Sequence, residues 1–458
     1  MDVSKRERNR ILAVLFTGVL MGALDIAIIG PALPALRETF GIDDRAAAWM
    51  LGIYVLFNLI GTPLMAKLSD RYGRRSVYAA DVAIFGVGSL VVAAAPTYAL
   101  VLTGRAIQGL GAGGIFPVAS AVIGDVFPPE RRGAALGLIG AVFGVAFLLG
   151  PILGGVLLLL SWHWLFLINL PIAVAVVWAA LRVLPSVRAE EPRPFDWLGM
   201  AVLAVMLTAL ALALNRIDTT APLASLAGPD VLPFLLVAAV LLVAFPWVED
   251  RAADPVIRPG LFRSRQIVIA SGLSLGAGVS EAAVVFVPAL LVAAFDVSTS
   301  TAAFMLLPIV VAMALGSPVL GRVLDRAGSR VVVVVSTALI AAGMAMVAAF
   351  TATLTLFYVA GILIGLGMAG LLGSSLRYVM LNEAPKEDRG AAQGILTVFI
   401  SIGQLAGSAI LGAIIASTGG RISSYADAFA VVAVLAGVLM LASFGLRSRA
   451  AERARMQG

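Results

Sequence analysis

The stretch GTPLMAKLSDRYGRR (61–75) returns 255 residues later as GSPVLGRVLDRAGSR (316–330). Gly61, Pro63, Asp70, Arg71, Gly73 and Arg75 match Gly316, Pro318, Asp325, Arg326, Gly328 and Arg330. A second pair, PPERRGAALG (128–137) and PKEDRGAAQG (385–394), aligns at an offset of 257 and carries Pro128, Arg132, Gly133 and Gly137 into Pro385, Arg389, Gly390 and Gly394. Two separated matches at nearly one offset mark an internal duplication. It divides the chain into residues 1–184 and 265–458, with 185–264 inserted between them.

Around these charged motifs the chain is apolar. Runs bounded by charges or by Pro and Gly fall near residues 11–35, 46–66, 77–95, 98–124, 134–160 and 164–183 in the first half. Six more lie near 266–294, 300–321, 331–350, 353–380, 391–417 and 426–446. The insert holds two shorter runs, 197–215 and 231–248, which either span or form a shallow re-entrant hairpin. Of the 458 residues 61% are hydrophobic and 13% charged, against roughly 25% charged in soluble domains. At roughly 20 apolar residues per spanning helix, the composition allows about fourteen spans. The reading is an all-α polytopic membrane protein. The first run is too long for a signal peptide and lacks a small-residue cleavage site, so it is expected to stay as a span.

Charge placement sets the expected orientation. If the spans alternate, 26 of the 32 Lys and Arg lie on the side of both termini, and only Arg37, Arg45, Arg216 and Arg421 lie opposite. Lys and Arg accumulate in cytoplasmic loops, which puts both termini in the cytoplasm and the chain in the inner, cytoplasmic membrane. The net charge of +6 then needs no nucleic-acid partner.

Several function classes drop out. There is no cysteine and one histidine, His163, so thiol chemistry and multi-histidine metal sites are excluded. HExxH, GxSxG and the GxxxxGK[ST] phosphate loop are all absent. An enzyme, a metal centre and an ATP-driven pump are therefore not expected; a proton gradient needs no cofactor.

Two acids lie deep in apolar runs. Asp25 is about 14 residues into the first run, roughly 21 Å along a helix. An offset of 256 carries it onto Glu281, in the first run of the second half. Intramembrane carboxylates cost roughly 3 kcal/mol on insertion scales and face cavities or partners. Burial disfavours their charged form, which suits reversible proton carriage; the plainer reading is a structural hydrogen bond to a neighbouring helix. Arg105 lies about seven residues into the fourth run, and the second half has Gly361 in its place. Parallel repeats place a substrate site between the halves, near the bilayer midplane.

The chain resembles the major facilitator superfamily, in particular its fourteen-helix drug:proton antiporters. LSDRYGRR (68–75) is similar to the loop signature GxLADRxGRR, with Ala66 at the first Gly and Gly321 keeping it in the second copy. RAIQGLGAG (105–113) resembles the helix 4 signature and GPILGG (150–155) the antiporter signature of helix 5. LDIAIIGPALPAL (24–36) and WHWLFLINLPI (162–172) resemble fourteen-helix signatures, the latter with His163 where Arg is common.

The resemblance implies two six-helix bundles plus two linker helices. It implies a conformational latch from Asp70, Arg71, Gly73, Arg74 and Asp125, and from Asp325 and Arg326, holding the outward-open state; plain topology control by loop charges is the alternative. An acid beside a helix N-terminus is favoured by the helix dipole. Gly150, Pro151, Gly154 and Gly155 are expected to act through shape, because small residues let helices approach and proline bends them. The second half keeps Gly407 and Gly412 but has Ser408 for the proline. Helices 1 and 4 line the family's central cavity, so Asp25 and Arg105 are expected to be coupled in proton exchange. Met21, Gln108, Phe143 and Gln404 are candidate cavity residues, Asn169 a packing residue and His163 an interfacial one. The expected function is monomeric, proton-coupled export of small lipophilic, cationic drugs or toxic compounds by alternating access. Export of a lipid or glycolipid is the runner-up.

Overall fold

The computed structural model describes residues 4–42, 44–186, 195–218, 220–349, 353–417 and 421–457, and these contain helices and no strand. Among the described residues fourteen helices are long and apolar enough to cross a membrane. In the first half they are α1 (Lys5–Phe40), α2 (Asp44–Tyr72), α3 (Arg74–Ala93), α4 (Tyr98–Val126), α5 (Pro129–Leu158) and α6 (Trp164–Val183). The insert supplies α7 (Trp197–Asn215) and α8 (Leu232–Glu249), two full-length helices and not a shallow hairpin. The second half follows as α9 (Arg265–Phe295), α10 (Leu307–Ala327), α11 (Ser329–Ala349), α12 (Leu354–Glu383), α13 (Arg389–Ser417) and α14 (Ile422–Ser443). A short tail helix, α15 (Arg449–Gln457), ends the chain.

One apolar core gathers α1, α3, α4, α5 and α6 around Phe85, Val122 and Ile139. A second gathers α7 and α9–α14 around Leu291, Met344 and Phe429. The halves meet where α5 runs along α10 and α2 along α13. Glycine permits the first crossing: a Cβ on Gly133 would lie 2.6 Å from the Gly321 carbonyl, and one on Gly137 would run into the Ser317 carbonyl. Outside, Leu159, Val174, Val243 and Val285 are widely exposed, as suits surfaces solvated by lipid. The insert docks on both halves, since Lys67 of α2 pairs with Asp254 at 2.8 Å and Arg258 with Asp388 at 3.1 Å.

The repeated motifs act on the backbone as well. Gly73 alone joins α2 to α3 with φ 92°, and Gly328 joins α10 to α11 with φ 88°. Positive φ is open to glycine without a Cβ penalty, so the motif keeps Gly there for geometry. In α4 the helix ladder is interrupted by Pro117. The second half breaks its ladder at the same level by a π-helical turn, Leu371–Ser375. The repeat offset changes there: Gly109, Gly111 and Gly114 match Gly365, Gly367 and Gly370 at 256, while Arg132 matches Arg389 at 257. The second half thus carries one extra residue, and a π turn is how a helix absorbs one.

Candidate functional site

Asp25 of α1 is 2% exposed and held by donors from α4 and α6. Arg105 Nη1 donates to its Oδ2 at 2.5 Å; Gln108 Nε2 and Asn169 Nδ2 donate to its Oδ1 at 3.0 and 3.1 Å. Both amides also donate to Ser89 Oγ of α3, at 2.8 and 3.3 Å. Arg105 donates further to Gln108 Oε1 at 2.9 Å and to the Met50 carbonyl at 3.3 Å. The knot requires α3 and α4 to touch backbone to backbone, and Gly88 allows it: a Cβ there would lie 2.5 Å from Gln108 N. A buried ion pair is strongly destabilised when one partner is removed, because the other stays desolvated and unpaired.

Asp25 and Arg105 do not line the central cavity. Tyr54 stands between: its ring carries the Arg105 guanidinium 4.2 Å from its centroid and also forms cavity wall. The cavity between the halves has a volume of about 220 Å³ and is walled largely by apolar groups such as Ile26, Phe116, Phe143 and Met368. Its polar points are Asn58 and Thr62 from α2, Glu281 from α9, Arg377 from α12, and Thr397, Ser401 and Gln404 from α13. Glu281 is hydrogen-bonded by the Gln404 side chain. The two acids related by the repeat therefore differ in setting: Asp25 is sealed among donors, and Glu281 is on the cavity wall.

Sequence reasoning assigned Arg377 no role. The structure puts it at the cavity, its guanidinium 3.7 Å from the Phe116 ring centroid. Its signal was the change of repeat offset just before it. Asp81 of α3 was also passed over: it is fully buried, both its carboxylate oxygens lack a partner, and Gly114 leaves room for them. No motif surrounds it.

At the end of the bundle carrying the termini, the repeated loops bridge the halves. Asp70 accepts the N–H groups of Gly390 and Ala391, at the start of α13, at 3.0 and 2.9 Å, and is paired with Arg74. Arg74 Nε donates to Asp125 at 3.1 Å, and Arg389 reaches the other Asp125 oxygen at 2.7 Å. The second copy mirrors this with fewer charges. Asp325 accepts Gly133 N and Ala134 N of α5 at 2.7 and 2.9 Å, and Arg132 donates to Asn382 at 2.6 Å, where the first copy has Asp125. Ser329 stands in place of Arg74 and bonds Glu452 of α15, whose Arg449 donates to the Asp325 carbonyl at 2.6 Å.

Two expected members do not join these clusters. Arg71 lies over the Tyr72 ring at 5.1 Å and Arg326 is exposed; among the described residues neither is in an ion pair. In α5, Gly150 packs directly against Ala27 of α1 and Gly154 is buried. Gly155 is exposed, with nothing within 4 Å of where a Cβ would lie, so close packing is not its task here. The Pro151 side chain lies outside the described residues. His163 stacks on Trp162 at 3.9 Å between centroids. Among the described residues no cluster of His, Asp or Glu is placed to hold a metal.

A model of the Major Facilitator Superfamily matches residues 15–280 and again 269–457. The chain belongs to this superfamily. It is a multi-pass membrane transporter and not an enzyme. It is 35% identical over 396 residues to the uncharacterized MFS-type transporter YfiU of Bacillus subtilis (strain 168), covering 85% of this chain and 76% of that protein. Multidrug resistance protein 3 of the same organism is 31% identical over 407 residues, 87% of this chain and 78% of the relative. The tetracenomycin C resistance and export protein of Streptomyces glaucescens is 30% identical over 419 residues, 90% and 76% respectively. The fold is also that of the proton:xylose symporter XylE, with TM-score 0.66, 17% identity and 96% of each chain covered.

Proposed function

We propose that this transporter is a proton-coupled antiporter that exports small lipophilic compounds across the inner membrane, with both termini in the cytoplasm. The observation that carries the reading is Glu281, a carboxyl group on the wall of a mainly apolar cavity. Both interhalf clusters close the terminal end of that cavity, so protons reach Glu281 from the opposite, outer side. A protonated Glu281 costs less to hold in an apolar cavity than a charged one, and a closed, loaded cavity then favours rocking of the halves. Rocking withdraws Asp70 and Asp325 from the backbone N–H groups that they accept, and the cavity opens inward. Substrate enters, the proton leaves, and the charged carboxylate favours return.

Asp25 and Arg105 supply a second coupled element behind Tyr54. Protonating Asp25 would release Arg105 and its hold on Tyr54, which is itself cavity wall. The multidrug and tetracenomycin C proteins among the relatives support the export of lipophilic compounds.

The test uses the full chain in proteoliposomes with rhodamine B and an imposed pH gradient, against protein-free vesicles. The dye is expected to accumulate in the acidic compartment and to lose that gradient on adding a protonophore. Dye movement indifferent to the gradient, or lipid movement in place of dye movement, overturns the reading.

A further inference from the structure

We propose that the cavity recognises substrates carrying an acidic group, a carboxylate, phenolate or enolate, and that Arg377 is the residue that binds it. The inference rests on the export reading above and narrows its substrate class. Arg377 is 3% exposed and lines the cavity. Its guanidinium lies over the Phe116 ring and donates a long hydrogen bond, 3.3 Å, to Gln393 Oε1. Gln393 is held in turn, since its amide donates to the Arg377 carbonyl at 3.0 Å. Nε has no partner, and among the described residues no acid pairs with the guanidinium.

That is an incomplete arrangement for a buried cation. A desolvated guanidinium is costly unless it is paired and hydrogen-bonded, and its fork of donors matches a planar oxyanion. Arg105 in this same chain, although its Nη2 also lacks a partner, has the anion that Arg377 lacks: Asp25 pairs with it, and Gln108 and the Met50 carbonyl accept from it. Arg377 lacks the anion and lines a cavity from which one can arrive. The π turn Leu371–Ser375 lies just before it, and such turns re-aim side chains at functional sites. The first half, without the extra residue, has Ser120 at the matching position, bonded back to its own helix at 2.9 Å. A purely cationic cargo, expected from the acids alone, leaves Arg377 unexplained. An acidic group on Arg377, with the apolar body against Phe116, Phe143 and Met368, accounts for both parts of the wall.

The probes are a matched pair of dyes, rhodamine B with its free carboxylate and rhodamine B ethyl ester, which lacks it. Binding to the full-length protein in lipid nanodiscs, against empty discs, reads affinity at fixed pH and so needs no proton coupling. Wild type is expected to bind the free acid. Arg377→Gln is expected to weaken the free acid at least tenfold and the ester less than twofold. Arg377→Lys, which keeps the charge but not the fork, should retain more of the free-acid affinity than Arg377→Gln, and this guards against a Gln variant that fails to fold. No binding of the free acid by wild type, equal losses for both dyes, or a Gln variant that keeps its affinity overturns the proposal. If dye binding behaves as expected but no pH-driven transport is seen, the antiport reading fails and this one stands.

Discussion

Asp25 and Glu281 occupy matching places 256 residues apart, and their neighbourhoods could hardly differ more. Asp25 is enclosed by Arg105, Gln108 and Asn169; Glu281 faces the cavity with Gln404 beside it. The difference comes from helix α4 and its counterpart α12. Where α4 has Arg105 and Gln108, the matching positions of α12 are Gly361 and Ile364, which have nothing to donate. A duplicated scaffold has thus kept an acid in each half and a cage in only one. The caged acid is expected to matter first for stability and only secondarily for coupling, and the open one mainly for coupling.

The largest effect tests the cage. Asp25→Asn leaves the Arg105 guanidinium buried without its anion, and breaking one side of such a pair costs about 3–5 kcal/mol. Denaturant or thermal unfolding of the purified variant should show that loss, and Arg105→Gln in the same chain should recover part of it. A melting curve unchanged by Asp25→Asn would mean that the pair is not the stabilising element.

The two interhalf clusters extend the comparison at lower amplitude. Asp70 has two backbone donors, Arg74 and the Asp125–Arg389 pair around it; Asp325 has its two backbone donors and the tail helix. Hydrogen bonds to a charged group contribute about 1.5–3 kcal/mol, so Asp70→Asn is expected to shift the closed–open balance by about 2 kcal/mol and Asp325→Asn by about half of that. The chain has no cysteine, so single introduced thiols at the terminal end report opening by their labelling rate. Equal acceleration in both variants would contradict the asymmetry. Glu452→Gln, which weakens the tail's hold on Ser329, should move the same balance by about 0.5 kcal/mol, the low end for a single hydrogen bond.

What was legible beforehand follows from what each feature depends on. Span number depends on local hydropathy, and the interhalf contacts of Asp70 and Asp325 on a motif that repeats with its glycines; both are written along the chain. Gln108 and Asn169 as donors to Asp25 depend on how α3, α4 and α6 cross, which no local pattern encodes. Arg377 was passed over for a sharper reason. One inserted residue at Leu371–Ser375 turns the following helix by about 100° relative to a regular register, and a reading by distance from the run's end does not register rotation. Arg71 and Arg326 belong to the repeated motif yet stand outside the clusters. For them the plain role of loop cations in topology is sufficient.

The smallest expected change in stability is also the most diagnostic. Glu281→Gln keeps the shape and the hydrogen-bonding capacity toward Gln404 and removes only the ability to lose a proton. No buried cation is paired with Glu281 among the described residues, so nothing is orphaned by the change. Unfolding free energy should stay within about 0.5 kcal/mol of wild type, as for substitutions away from buried networks. Transport should split: downhill rhodamine B exchange persists, while accumulation against a gradient falls to the level of protein-free vesicles at every pH. Asp25→Asn gives the reverse order of severity, stability first. If Glu281→Gln instead unfolds the protein and leaves accumulation intact in the folded fraction, the roles of the two acids must be exchanged.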